Sequence, residues 1–374
     1  MEYILFIGTN TDAEANMDKA VRRLKELFPD IRLSSAIYTE AMGLKCVRPF
    51  LNRMARFNSD KSYDDVRAIM KSLEAEAGRK PQEKDEEIIR LDLDILQAGD
   101  NKFKPQDWNR PFVPGLIKQI DMKFVGIIPA RYASTRFPGK PLALLGGKPV
   151  IQRVYEQVAG VLDDVYVATD DERISSAVEA FGGKVVMTSA NHRSGTDRCH
   201  EAAQKIGGNF DVVINIQGDE PFIHRSQIET VKACFADANT RIATLVKPFT
   251  VDDGFAALEN VNSPKVVVDK DMNALYFSRS IIPFQRNADK ADWLKNHTYY
   301  KHIGLYAYRM ETLSEITRLP QSSLELAESL EQLRWLENGY RIKVGISNVE
   351  TIGIDTPQDL QRAEEFLKTT SGQI

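Results

Sequence analysis

The sequence predicts an α/β protein in two parts, a doubly wound sheet with an inserted β layer over residues 122–374 and a smaller α+β domain over residues 1–101. Two observations carry this. From Lys123 onward, short apolar or β-branched runs alternate with helical patterns, the grammar of parallel strands joined by crossover helices. Residues 1 to about 100 instead read strand, helix, strand, strand, helix, strand, which is the split βαβ, ferredoxin-like order.

In the first part, strands are expected near Tyr3–Gly8, Ile31–Tyr38, Phe50–Phe57 and Ile88–Leu96, and helices near Asp12–Leu27 and Tyr63–Ala77. Met17, Ala20, Val21, Leu24 and Leu27 give the first helix one apolar stripe. Residues 102–121 hold Pro105, Pro111 and Pro114 and read as an irregular, docked linker. In the second part, the first strand is Phe124–Ile128, and Val165–Thr169, Lys184–Met187 and Val212–Gln217 suit buried parallel strands. Helices are expected at Ile151–Val161, Glu172–Phe181 and Thr196–Ile206. Val266–Asp269 and Leu275–Phe277 flank a turn and predict the inserted hairpin, which suits a cover over a site or a subunit contact.

Composition narrows the function classes. A net charge of −4 gives no reason to expect a nucleic-acid partner. Cys46, Cys199 and Cys234 are too few and too scattered for a disulfide framework or a cysteine-based zinc site, which suits a reducing cytoplasm. No run approaches the roughly 18 apolar residues of a membrane span. Met1–Ile7 lacks the basic segment of a secretion signal. A cytoplasmic protein without membrane insertion is expected.

The chemistry concentrates where strands end. After Phe124–Ile128 the chain enters a small-residue loop carrying Arg131, Arg136 and Lys140. Ligands of open α/β sheets bind at the carboxyl ends of strands, and arginine forks match phosphate oxygens. Val212–Gln217 runs straight into Gly218-Asp219-Glu220. A carboxylate facing a cationic phosphate loop suits Mg²⁺, which takes one or two carboxylates plus phosphate oxygens and water. Read alone, Asp219 is an acidic turn before a helix. Asp355 offers a second carboxylate, because Thr356 and Pro357 already make a good helix start without it. Arg193-Ser-Gly-Thr-Asp-Arg198 is an ordinary helix start that also offers small hydroxyls to a base edge.

Residues 122 to about 370 resemble the 3-deoxy-manno-octulosonate (Kdo) cytidylyltransferases along that family's whole length. The matching strings are Ile128-Pro-Ala-Arg-Tyr-Ala-Ser-Thr-Arg136, Pro138-Gly-Lys-Pro-Leu142, Ser194-Gly-Thr196 and Gln217-Gly-Asp-Glu-Pro221. Further matches are Ala274–Arg279, Lys301–Tyr306, Leu330–Arg334 and Gly353–Pro357. Tyr132-Ala133-Ser134 sets the loop apart from that of the related sialic-acid enzymes. The resemblance implies a nucleotidyltransferase-type sheet, CTP and Kdo as substrates, Mg²⁺ as cofactor and a homodimer. It implies that Arg131, Ser134, Arg136, Lys140, Ser194, Thr196 and Gln217 bind nucleotide, and that Asp219 and Asp355 hold the metal. It also implies that Arg279, His302, Tyr306, Glu331 and Gln332 bind Kdo, although His302 and Tyr306 equally suit buried structural positions. No general base stands out.

Residues 1 to about 100 resemble 6-hydroxymethyl-dihydropterin pyrophosphokinase through Gly8-Thr-Asn10, Ser34-Ser35 with Tyr38, Phe50-Leu-Asn52, Leu73-Glu74 with Gly78-Arg79, and Leu91-Asp-Leu-Asp-Ile95. Asp92 and Asp94 alternate on a strand and share one face, a possible second Mg²⁺ site that the resemblance supports. The family's arginine-rich loop is replaced here by Lys80–Ile89, with four acidic and two basic residues, and the family's later His-containing segment has no counterpart before the linker. An accessory domain is favoured over an active pyrophosphokinase. The alternatives are a bifunctional enzyme and a partner-binding module.

Overall fold

The computed structural model describes residues 1–40, 48–78, 87–133, 136–349 and 352–370. It divides into two units, Met1–Met122 and Lys123–Ile374.

In the first unit β1 (Glu2–Thr9), α1 (Ala13–Leu27), β2 (Arg32–Leu33), β3 (Ile37–Thr39), β4 (Phe50–Asn58), α2 (Tyr63–Glu76) and β5 (Asp92–Ala98) follow the expected order. β1 lies between β4 and β5, antiparallel to both, and β2 and β3 pair with β4. This is the split βαβ arrangement of a ferredoxin-like sheet. One face buries Tyr3, Leu5 and Ile7 against Met17 and Leu24 of α1 and Val66 and Met70 of α2. Ser62 caps α2 in a reciprocal box with Asp65.

Two expectations change. The single strand at Ile31–Tyr38 is broken into β2 and β3, because the Ser34 hydroxyl takes the Met54 N–H (2.9 Å) and interrupts the ladder. Residues 102–121 are not an irregular linker. After the short β6 (Asn101–Lys102) they fold into α3 (Pro105–Trp108) and α4 (Val113–Asp121). Val113, Leu116 and Ile120 pack on Ile4, Phe6, Met54 and Leu96, the other face of the sheet. Pro105 and Pro114 sit in first helical turns, where no N–H is needed, and Pro111 lies in the turn between the two helices.

The second unit begins with β7 (Phe124–Ala130), then β8 (Leu144–Leu145), β9 (Lys148–Pro149), α5 (Val150–Ala159), β10 (Asp164–Thr169), α6 (Glu172–Ala180), β11 (Val185–Met187), α7 (Gly195–Ile206) and β12 (Val212–Asn215). It continues through α8 (Arg225–Ala233), β13 (Ile242–Pro248), α9 (Gly254–Glu259), β14 (Lys265–Val268), β15 (Ala274–Ser278), α10 (Trp293–Asn296) and β16 (Tyr300–Arg309). The last elements are α11 (Met310–Ile316), α12 (Ser323–Glu328), α13 (Gln332–Glu337), β17 (Ile342–Ile346) and α14 (Pro357–Thr370). The sheet order is β11-β10-β7-β12-β16-β13-β17. β7, β10, β11 and β12 are parallel, as expected of doubly wound strands, while β16 runs antiparallel to both its neighbours and makes the sheet mixed. The expected hairpin is β14–β15, and β14 joins the sheet through β16.

The chain moves from β7 outward to β10 and β11, then returns to lay β12 on the other side of β7. That reversal opens a crevice at the carboxyl ends of β7 and β12, the switch point where open α/β sheets bind ligands. Within β7, Gly126 permits close packing, since a Cβ at this position would lie 2.6 Å from Leu162 and 2.9 Å from Ile216.

Candidate functional site

Two strand exits build the crevice. The loop after β7 is folded back by Gly139 N–H donating to the Tyr132 carbonyl (2.9 Å), with Gly139 at φ 71° and the Arg173 guanidinium 3.3 Å from the Tyr132 ring centroid. Past β12, Gly218 allows the chain to pass the Pro129 carbonyl, which a Cβ would meet at 2.9 Å. The Asp219 carbonyl accepts the Ile354 N–H (2.8 Å), tying the two acidic segments together.

Lys140 joins them electrostatically. Its ammonium donates to Asp219 Oδ2 (2.6 Å) and Asp355 Oδ1 (3.1 Å), and Arg136 reaches Asp355 Oδ2 (3.0 Å). Burial works against the Lys140 charge, but Asp219 and Asp355 outweigh it and hold the ammonium above the usual lysine pKa. Helix capping leaves Asp355 free, because Asp359 accepts from the Asp355 and Thr356 backbone N–H groups (3.1 and 2.8 Å). Asp219 and Asp355 thus converge on one point occupied by a cation. Two carboxylates open to phosphate oxygens and water are the donor set magnesium prefers. Among the described residues no group of three or more metal-ligating side chains forms.

Of the residues singled out in sequence, Arg131, Arg136, Lys140, Ser194, Gln217, Asp219 and Asp355 line one cleft of about 390 Å³. Ser134 lies outside the described residues. Arg136, Thr196, Gln217, Asp219, Arg279, Tyr306, Glu331 and Asp355 line an adjoining cavity of about 950 Å³. Ser194 caps α7 by accepting from Asp197 N–H (3.1 Å), and Thr196 donates to Glu331 (2.7 Å). Gln217 donates to the Gly304 carbonyl (3.1 Å), fixing the end of β12 to β16. Arg279 spends its guanidinium on the carbonyls of Glu328, Val261 and Ser329 (2.7, 3.0 and 3.3 Å).

Two expected sugar ligands do not line the cavity. His302 meets the Thr244 hydroxyl (3.2 Å) and packs edge-on to Phe277, and burial pulls its pKa down to about 4. Gln332 is buried in the first turn of α13. In the first unit, Asp92 and Asp94 do share one face of β5, and Asp94 is ion-paired with Lys104.

Two residues escaped sequence reasoning. Arg198 is buried at the wall of the first cleft, donating to Thr188 (2.7 Å) and paired with Asp170 (3.2 Å). Its spacing of four from Ser194 puts both on one helix face, a signal legible in sequence. Glu220 lines the second cavity, and burial together with the neighbouring Asp219 pushes its carboxyl up to about 7. Nothing in sequence marks it beyond adjacency.

Residues 125–343 match the Cytidylyltransferase family model, and residues 4–143 match that of 7,8-dihydro-6-hydroxymethylpterin-pyrophosphokinase. The second match runs past residue 101, in keeping with a first unit that extends to Met122. A 3-deoxy-manno-octulosonate cytidylyltransferase of Bacteroides thetaiotaomicron is 82% identical over 250 residues, 67% of this chain and 100% of that protein. The Phocaeicola vulgatus counterpart is 79% identical over 252 residues, again 67% of this chain and 100% of that protein. A solved CMP:2-keto-3-deoxy-manno-octonic acid synthetase complexed with CTP is 43% identical with a TM-score of 0.61, covering 66% of this chain and 99% of that one. With its cationic loop and paired aspartates at the switch point of the sheet, the chain belongs to the cytidylyltransferase family, among the 3-deoxy-manno-octulosonate cytidylyltransferases.

Proposed function

We propose that the second unit transfers CMP from CTP to the anomeric 2-hydroxyl of Kdo, releasing pyrophosphate. The hydroxyl oxygen bonds to the α-phosphorus, the bond to the β-phosphate oxygen breaks, and the hydroxyl proton is released to solvent. The observation that carries this reading is the convergence of Asp219 and Asp355 on the Lys140 ammonium beneath Arg136.

Arg131, Arg136 and Lys140 bind the triphosphate and neutralise the charge that builds on departing pyrophosphate. Ser194 and Thr196, at the start of α7, face the base, and Tyr306 and Glu331 bind the acid sugar together with Arg279, which has two of its five N–H groups left after serving the three carbonyls. His302 supports the sugar wall from behind, as a neutral ring on Thr244. Asp219 and Asp355 would hold Mg²⁺ in the place that the Lys140 ammonium takes in the structure, and the metal would lower the repulsion between the sugar's carboxylate and the α-phosphate. Positioning and charge neutralisation supply most of the rate. The product is an activated Kdo for lipopolysaccharide assembly, made in the cytoplasm by a homodimer. Among the described residues no helix is long and apolar enough to cross a membrane.

Pyrophosphate release with CTP, Mg²⁺ and Kdo tests this, alongside reactions with sialic acid, ATP or UTP. Release only with CTP plus Kdo is expected, and equal release with sialic acid would overturn the sugar assignment.

For the first unit, an accessory role is the better reading. Four acidic residues in Lys80–Ile89 oppose a triphosphate there. The family match at residues 4–143 favours the second reading, a bifunctional enzyme. AMP formation from ATP with the hydroxymethylpterin would establish that reading and end the accessory one.

A further inference from the structure

Glu331 stands between two parts of the site. One carboxylate oxygen accepts from the Thr196 hydroxyl on α7 (2.7 Å) and the other from the Arg334 guanidinium (2.7 Å). Arg334 is 8% exposed and is itself held on three sides, by Glu331, by Glu325 Oε2 (3.3 Å) and by the Leu319 carbonyl (3.1 Å). A planar fork delivers its N–H donors in fixed directions, one to Glu331 and one to the Leu319 carbonyl, while its charge stays beside Glu325. Thr196 and Arg334 are both buried, while the Glu331 side chain keeps 27% exposure toward the cavity.

We infer that Arg334 is a positioning residue that holds the Glu331 carboxylate ionised and aimed, joining the nucleotide-side helix α7 to the sugar cavity. It touches neither substrate; it acts through Glu331. This rests on the reading of the second unit as a CMP–sugar synthetase in which Glu331 meets the sugar. Burial raises the Glu331 pKa, and the Thr196 hydrogen bond, then the Arg334 charge, oppose that rise. Glu331 interacts with Arg334 on the helix it caps, Asp197 and Cys199 on α7, and Tyr306 and Tyr308 on β16, and it shares its cavities with Arg136, His192, Arg193, Asp219, Glu220, Arg279, Glu325, Asp355, Asp359 and Arg362. Arg334 is the cation that donates directly to the carboxylate, so without it the carboxyl protonates at higher pH.

The test uses the full chain with Arg334→Met, Arg334→Lys, Glu331→Gln and the double variant Arg334→Met/Glu331→Gln. Arg334→Met is expected to raise KM for Kdo by about tenfold or more while KM for CTP changes by less than about twofold. That KM for Kdo should fall again as pH rises through the Glu331 titration, and Arg334→Lys should recover part of the loss. Adding Arg334→Met to Glu331→Gln should change little further, because the route through Glu331 is already cut. Equal losses for both substrates, no pH dependence, or additive effects in the double variant would overturn the inference. If the unmodified protein shows no turnover with Kdo, the functional reading fails by itself. The pairing is then read from melting temperatures, where the double variant should lose less than the two single losses combined, and strict additivity would reject it. A poorly folded Arg334→Met leaves the same comparison to Arg334→Lys.

Discussion

Lys140 donates to Asp219 across 2.6 Å although the two stand 79 positions apart, and this pair fixes the cationic loop after β7 to the end of β12. Asp355, 215 positions beyond Lys140, completes the cluster. Three distant segments therefore meet at one charge.

Removing a member of that cluster separates chemistry from folding. Asp219→Ala should cut turnover by about a hundredfold or more, the scale of losing a preorganised charge at a reacting phosphate. Its side chain is 28% exposed and its backbone bond to Ile354 survives the change, so the melting temperature should move little. Steady-state pyrophosphate release and thermal melting check both halves.

His302 predicts a pH dependence of stability. Its folded pKa of about 4 lies below the unfolded value of about 6.5, so the unfolded state takes up the proton first as the solution acidifies. The contribution of the neutral ring is intact above about pH 6.5 and is lost as pH falls toward 4, by up to about 1.4 kcal/mol per pH unit. Denaturant titrations at pH 7 and pH 5 should show a smaller loss for His302→Gln than for the unmodified protein. Equal losses would show that His302 is already solvated.

The first unit should need its last two helices. A chain ending at residue 101 exposes Ile4, Phe6, Met54 and Leu96, and loses Val113, Leu116 and Ile120 from the core. At about 1.5–3 kcal/mol for each buried side chain, the loss approaches the whole stability of a small domain. Residues 1–122 should melt cooperatively, whereas residues 1–101 should not; calorimetry of both distinguishes them.

Residues 123–374 should be active alone. The relatives at 82% and 79% identity are themselves about this long, 250 and 252 matched residues spanning each whole protein. The kcat/KM of residues 123–374 for CTP should lie within about threefold of that of the full chain. A larger loss would mean that the first unit supports the reaction.

The sequence by itself determined the two folding grammars, the strands that end in Arg131 and Asp219, and the charge types a nucleotide needs. Those are local properties: apolar runs, small-residue loops and capping residues report their conformation within a few positions of themselves. Asp355 was legible in the same way, because Thr356 and Pro357 left it without a local task. What tertiary structure decided was proximity. The same Pro-rich text served either a linker or α3 and α4, and the choice fell to the apolar face of Ile4, Phe6 and Leu96 that α4 covers. His302 and Tyr306 looked alike on one strand, yet Tyr306 lines the cavity while His302 meets Thr244. Arg334, read only as part of a motif, gained its role from Glu331 and Thr196, a meeting that long-range packing creates and local spacing cannot encode.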